Sequence, residues 1–195
     1  MKVGVIGSGG REHALCFSLK NSNKIKKIYC FPGNAGTSSI ARNIDIDLND
    51  FEKLKDFIIL NEIDFIVIGP EKPLVDGIVD YLEKFNIKVF GPNKVASQLE
   101  GSKIFTKKLC EKYKIPTAKF GIFSKLETAL SFLQNCNFPI VIKADGLAAG
   151  KGVYISENYT EASKAVGEIF DGKFGFRDTI IMKKYCMIVF SVGDV

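Results

Sequence analysis

The sequence predicts an α/β chain in two parts, a parallel sheet with helices over residues 1–100 and an α+β unit over residues 101–195. Three observations predict it. Short apolar runs alternate with helical patterns through the first half, and repetition of that kind builds a parallel sheet covered on both faces. Each of those runs stops at Gly or Pro. Beyond residue 100, two apolar runs are separated by a glycine loop too short for a crossover, so their strands are antiparallel neighbours.

Taken in order, Lys2 to Ile6, Lys27 to Phe31, Phe65 to Ile68 and Lys88 to Phe90 read as buried strands. Glu12 to Asn21, Asp50 to Glu62 and Leu74 to Asn86 read as the intervening helices, the second capped by Asn49 or Asp50. The boundary falls between residues 91 and 103. Helices then follow at Ser102 to Tyr113, Thr128 to Leu133 and Thr160 to Phe170, with strands at Pro139 to Ala144, Val153 to Ile155 and Ile180 to Met182.

Composition narrows the classes of function. The chain is 46% hydrophobic and 25% charged, which is that of an ordinary globular protein. Its 27 basic and 22 acidic residues interleave, and the one cluster, Lys24 to Lys27, reads as a solvated turn rather than a nucleic-acid patch. The net charge of +5 suits anionic small molecules. No apolar run is long enough to span a membrane, and Met1 leads straight into the first strand without a signal segment. The five cysteines (Cys16, Cys30, Cys110, Cys136, Cys186) are scattered and there is one histidine, against a zinc site or a disulfide framework and in keeping with the cytoplasm. His13 has no G-x-S-x-G elbow to make a hydrolytic triad with it.

Three glycine turns share one edge of the expected sheet, where open α/β folds place their ligands. Gly7-Ser8-Gly9-Gly10-Arg11-Glu12 follows the first strand and opens a helix, whose N-terminal amides favour an anion. A dinucleotide fingerprint would need glycine where Glu12 stands, which disfavours a nicotinamide site. Pro32 to Thr37 and Gly69 to Leu74 end the next two strands. Within the latter, Glu71 suits sugar hydroxyls or an amine, or simply complements a helix N-terminus.

The most informative stretch is Val141 to Val153. Lys143 leads from a strand into Asp145-Gly146-Leu147-Ala148-Ala149-Gly150-Lys151-Gly152, a loop whose amides can wrap polyphosphate while the two lysines pair with its oxygens. It is not a Walker A loop, because Gly152 stands where Ser or Thr would follow the lysine. Lys103 is a second candidate phosphate contact. Lys107, Lys108, Lys112 and Lys114, on or just past the same helix, read as solvent-facing.

Together these stretches resemble the phosphoribosylamine–glycine ligase family, also called glycinamide ribonucleotide synthetases. The resemblance is carried by VIGSGGREHAL (5–15), PGNAGT (32–37), VIGPEKPLVDG (67–77), FGP (90–92), QLEGSKIFT (98–106), IPTA (115–118) and PIVIKADGLAAGKGV (139–153). It implies a Rossmann-like domain of the kind that precedes an ATP-grasp domain (1–100), on the substrate side, then an incomplete ATP-grasp domain (101–195) that binds ATP. It further implies ATP-dependent ligation of glycine to 5-phosphoribosylamine through glycyl phosphate, with Mg²⁺. On it, Lys103, Lys143 and Asp145 to Gly152 face ATP, and Gly9, Gly10, Arg11, Asn34, Glu71 and Pro73 line the phosphoribosylamine side. No catalytic residue is assigned, and the metal ligands fall in a part of the family's length that this chain lacks. Partners are therefore the small substrates, neither nucleic acid nor membrane, together with a separately encoded C-terminal half. Where the family carries consecutive acids near the adenine and ribose, this sequence has Lys183-Lys184-Tyr185-Cys186, which points to a truncation or frame change. The chain alone is then expected to be inactive. A non-catalytic binding module is the competing class. Biotin-carboxylase-type ligases lack the GSGGREH, PGNAGT and GPEKPLVDG set.

Overall fold

A computed structural model describes residues 1–147, 152–173 and 179–184. The chain forms two compact units, Met1–Gly101 and Ser102–Val195. Among the described residues, no helix is long and apolar enough to cross a membrane.

The first unit is built on a five-stranded parallel sheet. Its strands are β1 (Lys2–Gly7), β2 (Lys27–Pro32), β3 (Arg42–Asn43), β4 (Phe65–Ile68) and β5 (Val89–Phe90), in the order β3-β2-β1-β4-β5. β1 is the central strand, pairing with β2 and β4 in parallel, and its apolar run is buried because helices cover both faces. Alternation along the strands divides the core in two. Ile6, Tyr29 and Phe31 join Leu54, Ile58, Ile78 and Leu82, from α2 (Phe51–Leu60) and α4 (Ile78–Glu83). Val5, Ile28 and Cys30 join Cys16 from α1 (Gly10–Lys20). Phe57 closes the first layer with edge-on contacts to Tyr29 and Phe31, at ring-centroid separations of 5.8 and 5.5 Å.

Of the two candidate caps for α2, Asp50 is the one used, its carboxylate accepting from Lys53 N at 2.9 Å. The single helix expected over Leu74 to Asn86 is instead two, α3 (Glu71–Asp76) and α4. Gly77 divides them at φ +99°, and its N–H bonds to the Pro73 and Leu74 carbonyls in a left-handed cap. A further helix, α5 (Lys94–Gly101), lies inside the stretch read as a boundary.

The second unit carries an antiparallel sheet of β6 (Phe120–Phe123), β7 (Ile140–Ala144), β8 (Val153–Ser156) and β9 (Ile180–Lys184), in the order β6-β9-β7-β8. The β7–β8 pairing is antiparallel, as the short glycine loop requires. One face, formed by Ile140, Ile142, Ala144, Ile180 and Met182, packs on α7 (Leu126–Leu133) and α8 (Tyr159–Phe170). The small residues Ala129, Ala162 and Ala165 let those helices sit close to the sheet. Val141, Lys143, Ile181 and Lys183 belong to the opposite face by strand alternation and register. α6 (Lys103–Lys112) opens the unit, capped by Ser102, whose hydroxyl oxygen accepts from Phe105 N at 3.1 Å.

Candidate functional site

In the first unit the three glycine turns leave the adjacent strands β1, β2 and β4 on one edge. They are laced together directly. Gly33 N donates to Gly7 O at 3.1 Å, and Gly69 N donates to Ile6 O at 3.0 Å. The Asn34 amide reaches back to the Ser8 and Gly9 carbonyls at 2.8 and 3.3 Å, while its Oδ1 accepts from Thr37 N. Arg11, from the first turn of α1, donates to Gly69 O at 2.6 Å and to Glu71 Oε1 at 2.9 Å. Gly9, Gly10, Arg11, Asn34 and Glu71 are therefore brought to one edge. Pro73 is buried in α3.

The Arg11–Glu71 pair is open to solvent, with side-chain exposures of 59% and 44%, so it organises the edge more than it stabilises the fold. Hydrogen bonding by its own backbone N–H, then by Arg11, holds the Glu71 carboxyl below its ordinary value. The hydrogen bond to Glu71 raises Arg11 in turn. Both groups remain ionised at neutral pH.

Glu12 is a residue whose part was not foreseen from the sequence. It is only 4% exposed, and its Oε2 accepts from Gly9 N at 2.6 Å in a capping box. Its side chain occupies the space that Cβ atoms on Gly7 and Gly69 would need. Such atoms would lie 2.6 Å from Glu12 Cγ and 2.1 Å from Glu12 Oε1 respectively. Gly7 also has φ +125°, which side-chain-bearing residues rarely adopt. The protein's own carboxylate thus takes a donor at the helix N-terminus that an outside anion would otherwise use. The signal was present in the sequence as Gly9-x-x-Glu12.

In the second unit, Lys143 projects from β7 just ahead of the glycine loop. Lys103 Nζ donates to Gly146 O at 2.8 Å, which ties the start of α6 to the start of that loop. Asp145 accepts from the Ser102 hydroxyl at 3.0 Å and from Ile104 N at 3.2 Å, so its carboxylate seats the N-terminus of α6. The loop base is closed by Ala144 N donating to Gly152 O at 2.9 Å. Gly146 and Gly152 have φ of +85° and +76°. Leu147 is half-buried. Ala148, Ala149, Gly150 and Lys151 lie outside the described residues, as do Tyr185 and Cys186.

Lys107 corrects an expectation. Lys108, Lys112 and Lys114 are solvent-facing as read, but Lys107 is partly buried. Its Nζ lies 5.1 Å from the Phe120 ring centroid and donates to Ala118 O at 3.3 Å. Burial, reinforced by Lys183, lowers its pKa. The Lys143 pKa is lowered by burial first, then by Lys183, Lys103 and Lys107. Among the described residues no group of three or more His, Cys, Asp or Glu could hold a metal ion. The donor set described in this chain does not fit a magnesium centre.

A parallel unit followed by an antiparallel one, with a lysine-bearing strand running into a glycine loop, is the fold of the ATP-grasp proteins, and the second unit is consistent with an incomplete ATP-grasp domain. Residues 1–100 match the family described as "Phosphoribosylglycinamide synthetase, N domain", and residues 101–187 match "Phosphoribosylglycinamide synthetase, ATP-grasp (A) domain". The chain belongs to the phosphoribosylglycinamide synthetase family.

Phosphoribosylamine–glycine ligase of Caldanaerobacter subterraneus subsp. tengcongensis is 49% identical over 166 residues, covering 85% of this chain and 40% of that protein. The enzyme of that name from Nostoc sp. is 42% identical over 189 residues, covering 96% and 44%. The crystal structure of phosphoribosylamine–glycine ligase from Thermotoga maritima superposes with a TM-score of 0.78 at 31% identity, covering 96% of this chain and 44% of that one. N5-carboxyaminoimidazole ribonucleotide synthetase from the same organism shares the fold alone, with a TM-score of 0.67 at 17% identity over 94% of this chain and 46% of that one. The chain spans about two fifths of the length of these curated relatives.

Proposed function

We propose that this chain supplies the substrate-side domain and the first part of the ATP-binding domain of a ligase of de novo purine biosynthesis, acting in the cytoplasm. The reaction joins glycine to 5-phosphoribosylamine. A glycine carboxylate oxygen attacks the γ-phosphorus of ATP, the bond to the β-phosphate oxygen breaks, and ADP leaves. The amine nitrogen then attacks the acyl carbon of glycyl phosphate and loses a proton, and phosphate departs with the C–O bonding pair. The products are glycinamide ribonucleotide, ADP and phosphate.

The observation that best supports this reading is the Lys103–Gly146 hydrogen bond. It draws two elements, α6 and the end of β7, to the start of one glycine loop. Lys103 and Lys143 can there offer two ammonium groups to a polyphosphate, and phosphoryl transfer demands mainly positioning and charge neutralisation of this kind. Asp145 acts as a positioning residue, holding the helix that bears Lys103. On the first unit's edge, Arg11 uses two N–H groups on Gly69 and Glu71. Its remaining donors suit the ribose 5-phosphate. Glu71, held ionised, suits a ribose hydroxyl or the attacking amine. Magnesium enters no step, because the described residues do not fit it.

Spanning two fifths of its relatives' length also favours a second reading, a binding fragment or one half of a split ligase. One experiment separates them. The 195-residue chain alone is expected to show no glycine-dependent ADP release. Co-expressed with a chain carrying the rest of the family's length, it is expected to recover that release. A reconstituted pair that binds ATP yet shows no glycine dependence would refute the ligase assignment and leave the binding fragment.

A further inference from the structure

The second sheet gathers more positive charge than the ligase reading uses. In the β7–β9 register Val141 pairs with Lys183 and Lys143 pairs with Ile181, so the two lysines share a face as diagonal neighbours on adjacent strands. Phe120 pairs with Lys183 from the other side, and Lys107 Nζ lies over the Phe120 ring. Lys103 precedes Lys107 by one turn of α6, on the same side of the helix. Beneath them Val141 and Ile181 are buried, which gives the charges an apolar floor. Among the described residues no carboxylate pairs with Lys107, Lys143 or Lys183. Asp145, the acid nearest in sequence to Lys143, is committed to Ser102 and Ile104.

We propose that this face binds a polyphosphate chain in its metal-free form, with Lys107 and Lys183 supplying charge neutralisation that a divalent cation would otherwise provide. The proposal rests on the second unit being the nucleotide-binding one. A fully ionised triphosphate carries about four negative charges, and a bound divalent cation removes about two of them. Four clustered ammonium groups match the free anion. With the metal complex they gain less attraction and meet a new repulsion. The described residues offer no acidic cluster to receive such a cation. Burial first, and then the neighbouring lysines, lower the pKa values of Lys107 and Lys143, and an anion seated among them would relieve the repulsive part.

The test is isothermal titration of the full chain with sodium tripolyphosphate and with ATP, each in EDTA and each in excess Mg²⁺. Both ligands are expected to bind more tightly in EDTA, with Mg²⁺ weakening them about tenfold or more, a difference of 1.4 kcal/mol per decade. Lys183→Met and Lys107→Met, which keep the apolar stems, are each expected to weaken binding in EDTA about tenfold while leaving the melting curve in place. Two variants on different elements guard against one failing to fold. Tighter binding with Mg²⁺, or wild-type affinity in both folded variants, would overturn the proposal and leave the ATP reading standing. Binding of tripolyphosphate but not ATP would overturn the nucleotide reading on which the proposal rests. No binding of either would remove both.

Discussion

Replacing Glu12 with alanine tests how the first unit's glycine edge is built. The side chain contributes in two ways that can be estimated separately. Its Oε2 accepts from Gly9 N at 2.6 Å, and losing a capping interaction costs about 0.5–2 kcal/mol. The exposure of Gly9 favours the lower half of that range, because water can replace the bond. Its buried Cγ fills the space against Gly7 and Gly69, and a buried methylene contributes about 0.8 kcal/mol. Relief from burying a carboxylate offsets part of this. The expected loss for Glu12→Ala is about 1–2 kcal/mol, read from a urea titration followed by far-UV circular dichroism. Glu12→Gln keeps the shape and an acceptor and is expected to lose less than about 1 kcal/mol. Gly69→Ala supplies the control. It is costly beside Glu12, where the added Cβ would lie 2.1 Å from Oε1, and should be largely tolerated in the Glu12→Ala background. Equal costs in the two backgrounds, or a Glu12→Ala variant as stable as wild type, would refute this account of the edge.

Gly7→Ala combines a φ of +125° with crowding by Glu12 and should destabilise the first unit by about 1–3 kcal/mol in the same titration. Ile142→Ala removes a fully buried side chain from the second core and is expected to cost about 2–5 kcal/mol, measurable by thermal melting. Lys143→Met should weaken ATP binding at least tenfold by calorimetry while leaving stability within about 0.5 kcal/mol of wild type, since it removes a cation that burial, and then its lysine neighbours, disfavour. Its pH dependence has a definite sign. Folded Lys143 has a pKa below the ordinary 10.5, so between those values the unfolded chain binds more protons and stability rises with pH. Wild type should therefore gain on Lys143→Met as pH climbs toward 10.5, and parallel stability profiles would count against it.

The strand–helix alternation of the first unit was legible because parallel strands buried on both faces are continuous apolar runs, as β1, β2 and β4 are. β3 was not, since the dipeptide Arg42–Asn43 carries no pattern and is a strand only through pairing with Tyr29 and Cys30. β6 was hidden for a related reason: Phe-Gly-Ile-Phe is short, edge-placed and interrupted by glycine. The split at Gly77 was misread because helical periodicity runs through it, while the left-handed cap is a backbone property. At the sites, the motif glycines and Lys143 stood out in the sequence. The burial of Glu12 and the partial burial of Lys107 depend on what folds against them, which periodicity does not reveal.

The two units manage their polar groups in opposite ways, and this bears on how each would hold a ligand. On the first unit's edge Arg11 is matched by Glu71 and Gly69, Gly9 N by Glu12, and Asn34 by Ser8, Gly9 and Thr37. A ligand that enters there must exchange these bonds or use donors left over from them. Net affinity is then modest, and discrimination comes from how well the ligand reproduces the hydrogen bonds it displaces. On the second sheet's lysine face no carboxylate among the described residues neutralises Lys107, Lys143 or Lys183. An anion there displaces no internal carboxylate, only the neutral acceptors that Thr117 and Ala118 offer Lys107, and it relieves repulsion among the lysines. Binding at the second unit should accordingly weaken steeply as salt rises, whereas binding at the first should depend on it little. On the proposed function, charge for a polyphosphate and hydrogen bonds for a ribose phosphate would fall to separate units of the chain.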